Sequence, residues 1–223
     1  MPEAGYGHHW IDGSPIDLPL GKAVCVGRNY AEHARELGNE VPDEPVLFMK
    51  PASAMVGLAE PLVLPAGQGE VHHEVEMAVL IGERLRDVDT EQARYGIHGY
   101  GLALDLTLRE LQNRLKDKGQ PWERAKAFDG ALPLSGFVEA RGISIKQNLR
   151  VALDVNGEAR QYGHTGQMLM PTFELISHIS RWFTLEPGDV VLTGTPAGVA
   201  ALASGDQLRM HLGNLLSVSA RVA

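Results

Sequence analysis

The apolar positions of this chain fall into short runs, each closed by glycine, proline or a polar pair. Lys22-Ala23-Val24-Cys25-Val26 is followed at once by Gly27-Arg28-Asn29-Tyr30, and Val46-Leu47-Phe48-Met49-Lys50 stops at Pro51. Short, partly β-branched runs punctuated in this way predict strands. The same pattern predicts a strand through Met77-Ala78-Val79-Leu80-Ile81-Gly82, opened by His72-His73-Glu74-Val75-Glu76. Ile97 to Leu106 reads as a buried strand that delivers Asp105 at its end. Val151-Ala152-Leu153-Asp154-Val155 running into Asn156-Gly157 is a hairpin signal, since a type I′ two-residue turn needs positive φ at both central residues. Towards the C-terminus, strands alternate with glycine turns at Pro187-Gly188-Asp189, Gly194 and Gly205-Asp206.

Helical spacing is confined to a few segments. Tyr30 to Leu37 predicts a short helix, with Asn29 as N-cap, Glu32 at the capping-box position and Gly38 as the stop. Glu83 to Ala93 predicts a turn and a short helix, and Thr107 to Lys116 a helix with Leu108, Leu111 and Leu115 on one side. Pro171 to Phe183 predicts an amphipathic helix with Phe173, Ile176, Ile179 and Trp182 as its apolar stripe. Residues 1–21 are irregular, and no repeat, low-complexity tract or linker divides the remainder. The expected organisation is therefore one domain over 22–223, with the N-terminal segment packed on it.

Composition narrows the classes. The 223 residues are 44% hydrophobic with 25 Gly and 13 Pro, enough for one substantial core and suited to a strand-rich, turn-rich fold. A net charge of −8 with scattered basic residues argues against a nucleic-acid partner. Cys25 is the only cysteine, which excludes an intramolecular disulfide or a cysteine-rich zinc site. No apolar stretch approaches the roughly 20 residues of a membrane span. Met1-Pro2-Glu3-Ala4-Gly5 lacks the basic and apolar regions of a signal peptide. A soluble cytoplasmic protein with no membrane partner is expected.

The chemistry concentrates on acids. In a strand alternate side chains share a face, so Glu74 and Glu76 point one way, their Cα atoms about 7 Å apart. Two convergent carboxylates can close around a cation, whereas burying both with nothing between them is very costly. Either this face is wet or something positive sits there. Asp105 adds a third acid, or else caps the helix that follows. Three carboxylates without cysteine suit Mg²⁺ or Mn²⁺, although spacing alone leaves a solvated strand face open. His72 and His73 point to opposite faces, so at most one could join the acids.

His33 and Glu36, three apart on one helix face, could be a general base and its orienting acid, or an ordinary surface pair. Lys126 could be a buried cation or a surface charge. Thr193-Gly194-Thr195-Pro196-Ala197-Gly198 could offer backbone N–H groups to a carboxylate or phosphate, or serve only as a sharp reversal.

Several of these segments together resemble the fumarylacetoacetate hydrolase family: Gly27-Arg28-Asn29-Tyr30 with His33 and Glu36, Phe48-Met49-Lys50-Pro51, His73-Glu74-Val75-Glu76, Asp105 through Gln112, Lys126 with Phe128-Asp129, Asn156-Gly157-Glu158, and Leu185 through Gly198. The resemblance runs from about residue 22 to the C-terminus and is to the short, single-domain, acylpyruvate hydrolase-like branch. It implies an α+β, mainly β fold, a mixed β-sandwich or rolled sheet, as a homodimer. It further implies Mg²⁺ or Mn²⁺ on Glu74, Glu76 and Asp105, and a mobile lid carrying His33 and Glu36 that closes over substrate and activates water. Lys126 and Gln112 match positions that bind the oxo-acid, and Thr195 a position that holds its carboxylate. Asp105-Leu106-Thr107-Leu108-Arg109-Glu110-Leu111-Gln112 departs from the commoner Asp-Val-Ser-Ala-Arg-Asp-x-Gln but keeps the ligand, arginine and glutamine.

The implied activity is hydrolysis of the C–C bond of an acylpyruvate, such as fumarylpyruvate or acetylpyruvate, to pyruvate and a carboxylic acid. His33 would activate the water, and Lys126 with the metal would stabilise the enolate. Oxaloacetate decarboxylation or keto–enol tautomerisation, and isomerisation of an unsaturated dioxo-diacid from aromatic catabolism, use the same enolate and are the alternatives. A non-catalytic protein stapled by metal is a further one. A second substrate carboxylate would need a cation, for which Arg28 is the nearest candidate.

Overall fold

A computed structural model describes residues 5–38, 40–143 and 148–223. The fold is mainly β, a rolled sheet with short helices outside it. The largest sheet runs in the order Val46–Lys50, Ala23–Gly27, Val190–Leu192, Val75–Ile81, Ile97–Leu104, Leu132–Leu134, Met55–Gly57, with Val138–Glu139 also on Ile97–Leu104. Ala23–Gly27 pairs in parallel with Val190–Leu192, and Met55–Gly57 with Leu132–Leu134; the other pairings are antiparallel. A second sheet orders Glu158–His164, Arg150–Val155, Gln207–Leu212 and Leu216–Arg221, and a small third one Ala200–Ala201, Val71–His73 and Thr107–Leu108.

Val75–Ile81 is buried along its whole length, which explains why it reads as a continuous apolar run rather than an alternating one. Val75, Met77, Val79 and Ile81 enter the main core with Leu102, Leu104, Leu153 and Met210. Ala78 and Leu80 face a second core with Cys25, Ala103, Leu134 and Phe137, covered by Tyr6 and Trp10 of the N-terminal segment. That segment is tied down by the Phe137 N–H to His9 carbonyl bond at 2.9 Å and by His8 Nε2 at 2.9 Å from Gly188 O. No helix among the described residues is long and apolar enough to cross a membrane.

The hairpin turn forms as expected, with Asn156 at φ 53° and Gly157 at 81°. Four local expectations need correction. The run from His72 to Ile81 is two strands, Val71–His73 and Val75–Ile81, in different sheets and broken at Glu74. Asn29 does not cap the helix Ala31–Glu36; Tyr30 holds that position without a side-chain bond. Instead the Asn29 amide donates to Thr193 O at 2.8 Å and Met170 O at 3.1 Å, and accepts from Met170 N at 2.8 Å. A two-residue strand, Thr107–Leu108, separates Asp105 from the helix Arg109–Asp117, whose N-cap is Leu108, so Asp105 is no cap. Finally, the helix Thr172–Trp182 buries Leu175, Ile176 and Ile179 but leaves Trp182 63% exposed. Ser177 Oγ and Ser180 Oγ bond to Val88 O and from Val88 N, which rotates a small polar strip of the helix into the contact.

Candidate active site

Glu74, Glu76 and Asp105 meet because three strand ends meet. Glu76 shares a side of Val75–Ile81 with Ala78 and Leu80, and the break before Val75 leaves Glu74 beside it. Asp105 follows Ile97–Leu104, whose register pairs Leu104 with Val75, and its N–H donates to Glu74 O at 2.8 Å. One oxygen of each carboxylate lies within 4.8 Å of the others, and none of the three residues is more than 4% exposed.

The acids are buried, and positive charge sits beside them. Lys126 Nζ donates to Glu74 Oε2 at 2.8 Å and Asp105 Oδ2 at 2.6 Å, and lies 5.0 Å from the Phe48 ring centre. Arg109 donates through Nη2 to Glu74 and through Nη1 to Gln112 Oε1 at 2.7 Å. Lys50, wholly buried, places Nζ 2.8 Å from Asp105 Oδ1 but donates to the carbonyls of Leu106, Lys126 and Ala131. Its three protons are thereby used, so Asp105 Oδ1 has a charge beside it and no hydrogen bond. A buried oxygen with an unspent lone pair, in a cluster of three carboxylates, fits the hard-oxygen ligand set of a divalent cation such as Mg²⁺ or Mn²⁺.

Electrostatics separate the acids. Burial raises the pKa of Glu74, but Lys126 and Arg109 outweigh it and hold the carboxyl well below the usual range. Burial pushes Glu76 far up, and the neighbouring Asp105 and Glu74 charges add to it. Burial opposes the Lys126 ammonium, yet Asp105 and Glu74 together keep its pKa above the ordinary lysine value.

The loop expected to present N–H groups to a substrate anion gives two of them to the chain's own carboxylates. Gly194 N–H donates to Glu76 Oε2 at 2.5 Å, and Gly198 N–H to Glu36 Oε1 at 3.0 Å. Thr195 Oγ1 donates to Val75 O at 2.8 Å and accepts from Gln161 Nε2 at 2.7 Å. His33, on the short helix Ala31–Glu36, is buried, and its Nδ1 lies 3.3 Å from Glu36 Oε2.

A cavity of about 40 Å³ brings together Arg28, His33, Glu74, Glu76, Asp105, Gln112, Lys126 and Thr195. Of the residues expected to act in catalysis, substrate binding or metal binding, Glu36 is the one not in its lining; its Oε2 lies 3.3 Å from His33 Nδ1. His72 lies beside Glu70, 3.7 Å away, and His73 Nδ1 is 2.9 Å from Gln161 Oε1, so neither joins the acids. Sequence reasoning missed the parts played by Lys50, Arg109 and Gln161. Lys50 and Arg109 both lie in segments that carry the family resemblance, but spacing did not announce their partners, Asp105 and Glu74. Gln161 comes from the distant strand Glu158–His164 and accepts from Val75 N at 2.9 Å, a pairing no local pattern announces.

Comparison with known proteins identifies the family. The family model described as fumarylacetoacetate (FAA) hydrolase C-terminal matches residues 22–223. Oxaloacetate tautomerase YcgM of Escherichia coli is 54% identical over 204 residues, 91% of this chain and 93% of that protein. The mitochondrial oxaloacetate tautomerase FAHD1 of Bos taurus is 43% identical over 199 residues, covering 89% and 90%. A crystal structure of fumarylpyruvate hydrolase from Pseudomonas aeruginosa in complex with Mn²⁺ and pyruvate superposes with a TM-score of 0.92 at 38% identity, covering 100% of this chain and 97% of that one. The chain belongs to the fumarylacetoacetate hydrolase family.

Proposed function

We propose that the chain catalyses keto–enol tautomerisation of oxaloacetate, with a divalent cation at Glu74, Glu76 and Asp105. This is the reading the sequence offered as an alternative, and it is now better supported than acylpyruvate hydrolysis. The observation that carries it is the 54% identity to an oxaloacetate tautomerase over nine-tenths of both chains.

A divalent cation on the three carboxylates would polarise the substrate's C2 carbonyl and offset charge developing on its oxygen. Lys126, whose ammonium donates to Glu74 and Asp105, would supply a second positive charge at that oxygen. Arg109 engages Gln112 Oε1, which leaves the Gln112 amide N–H groups for the substrate C1 carboxylate. Carboxylate binding by the Thr195 hydroxyl would require its bond to Val75 O to break, so we assign Thr195 to holding the loop. Glu36 faces His33 Nδ1, leaving Nε2 to take the proton from C3 and to return it. The same reading retains a homodimer, to be checked by light scattering.

Decarboxylation is the second reading, because loss of the C4 carboxylate produces the same enolate without a base at C3. His33→Ala separates the two. The enol-to-keto rate, followed by ultraviolet absorbance, should fall by at least about 100-fold, while pyruvate release from oxaloacetate persists. Equal loss of both would count against His33 as the proton carrier. Pyruvate and acid released in step from acetylpyruvate or fumarylpyruvate, faster than oxaloacetate tautomerises, would restore the hydrolase reading.

A further inference from the structure

We propose that Gln161 is a positioning residue for the acids and for His33: its amide locks the loop 193–198 to the backbone between Glu74 and Glu76. This role deepens the function proposed above and rests on it.

Val75 shows why a lock is needed. The chain leaves one sheet after His73 and enters another at Val75, so the peptide groups between the two acids fall where one ladder stops and the next begins. Val75 is wholly buried, and its N–H and C=O need partners that solvent does not supply. Side chains supply them. The N–H donates to Gln161 Oε1 at 2.9 Å, the C=O accepts from Thr195 Oγ1 at 2.8 Å, and Gln161 Nε2 donates to Thr195 Oγ1 at 2.7 Å. These three bonds close a ring that fixes Val75, and with it the directions in which Glu74 and Glu76 leave the backbone.

The rest of the amide serves the same end. Gln161 Oε1 also lies 2.9 Å from His73 Nδ1, and Nε2 also donates to Pro196 O at 2.8 Å. A side-chain amide has two lone pairs and two N–H bonds, so all four are used and only one orientation of the group satisfies them. An amide oxygen only accepts, so His73 carries its ring proton on Nδ1. Gln161 itself is buried and does not line the cavity.

The strand that carries Gln161 is shaped to receive the loop. A Cβ at Gly163 would lie 2.6 Å from Pro196 Cβ, so glycine there lets the loop rest directly on Glu158–His164. From that bed the loop reaches both halves of the site. Its Gly194 N–H holds Glu76, and its Gly198 N–H holds Glu36, which faces His33. Among the described residues, none that lines the cavity comes from the sheet of Gln161. That sheet sets the site's geometry without entering it.

The test uses the full-length protein in three variant forms. Gln161→Met keeps the bulk and loses all four bonds. Gln161→Glu keeps the acceptor for the Val75 N–H and loses both bonds donated to the loop. Leu216→Ala empties a buried position on the opposite edge strand of the same sheet and controls for stability alone. Calorimetric Mn²⁺ binding to chelated protein, the melting temperature of the metal-free forms, and kcat and KM for oxaloacetate at saturating Mn²⁺ are compared. Gln161→Met should weaken Mn²⁺ binding by at least about tenfold. Both Gln161 variants should lower kcat by at least about tenfold and hold KM within about threefold of wild type, because the cavity lining is unchanged. Leu216→Ala should melt lower yet keep Mn²⁺ affinity and kcat.

A Gln161→Met form that melts lower but binds Mn²⁺ and turns over like wild type would overturn the proposal. Parallel losses in Leu216→Ala would overturn it too. If Gln161→Met does not fold, kcat of Gln161→Glu decides in the same way. A wild type that binds Mn²⁺ without tautomerising oxaloacetate would overturn the functional reading, while weakened Mn²⁺ binding in Gln161→Met and not in Leu216→Ala would still support the positioning role.

Discussion

Lys50 shows how much of this site depends on groups that touch no substrate. Its ammonium joins three main-chain carbonyls, from residues 106, 126 and 131, to the Asp105 carboxylate, and so ties two of the acid-site segments to each other. Lys50→Met keeps the bulk and removes the charge, stranding a buried carboxylate and three acceptors. The expected destabilisation is about 3–5 kcal/mol, measured by urea unfolding; a loss below about 1 kcal/mol would contradict this role. Glu76 gives a pH signature. Its pKa is raised from an ordinary value of 4.5 when folded, so between that value and the folded pKa the native state binds the proton more strongly than the unfolded chain. Its contribution to stability is present below pH about 4.5 and is lost as pH rises. Glu74, with a lowered pKa, acts in the opposite sense: its contribution is present above about 4.5 and is lost as pH falls. In metal-free protein, Glu76→Gln should therefore make the melting temperature fall less from pH 5 to pH 8 than it does in wild type. Parallel curves would mean Glu76 is ionised throughout. At this scale the acids were legible in part. Spacing put Glu74 and Glu76 on one side but left a solvated face open, and the family resemblance, not the strand period, joined Asp105 to them. The break at Glu74 shows that the two glutamates do not share one continuous strand. Lys50 was not legible, since a lysine ending an apolar run looks the same whether it meets solvent or a buried carboxylate.

Among the elements, the loop 193–198 binds two functions together. Its Gly194 N–H fixes Glu76, and its Gly198 N–H fixes Glu36, which orients His33. Gly198 has φ +102°, and a Cβ there would lie 1.8 Å from Arg160 O. Gly198→Ala must therefore move backbone, releasing Glu36 and misplacing His33. A loss of at least about tenfold in tautomerisation is expected, together with a lower melting temperature; near-normal turnover would show that the Glu36 contact is incidental. The helix Ala31–Glu36, the Asn156-Gly157 hairpin and the strand leading to Asp105 were readable from local pattern. Asn29 misled because its side chain satisfies a long-range demand, bridging residues 170 and 193, that outcompetes capping. Trp182 misled because the stripe was read from hydrophobicity, while the contact with residue 88 selected two serines.

For the whole molecule, short apolar runs sufficed to indicate a β-rich fold, but not the sheet order. Val190–Leu192 inserts between Ala23–Gly27 and Val75–Ile81, a pairing across more than a hundred residues that periodicity cannot see. That insertion is also what carries the loop 193–198 to the acids. The molecule thus gathers one cavity from both ends of its sequence, with three acids inside and cations around them. In the proposed reaction a divalent cation on those acids drives oxaloacetate tautomerisation. The most direct measurement is the enol-to-keto rate of oxaloacetate on purified protein before chelation, after it, and after Mn²⁺ is returned. A fall of at least about 100-fold on chelation, recovered on return and absent in Glu74→Gln, is the predicted result. A rate that chelation leaves unchanged, with metal removal confirmed, would contradict it.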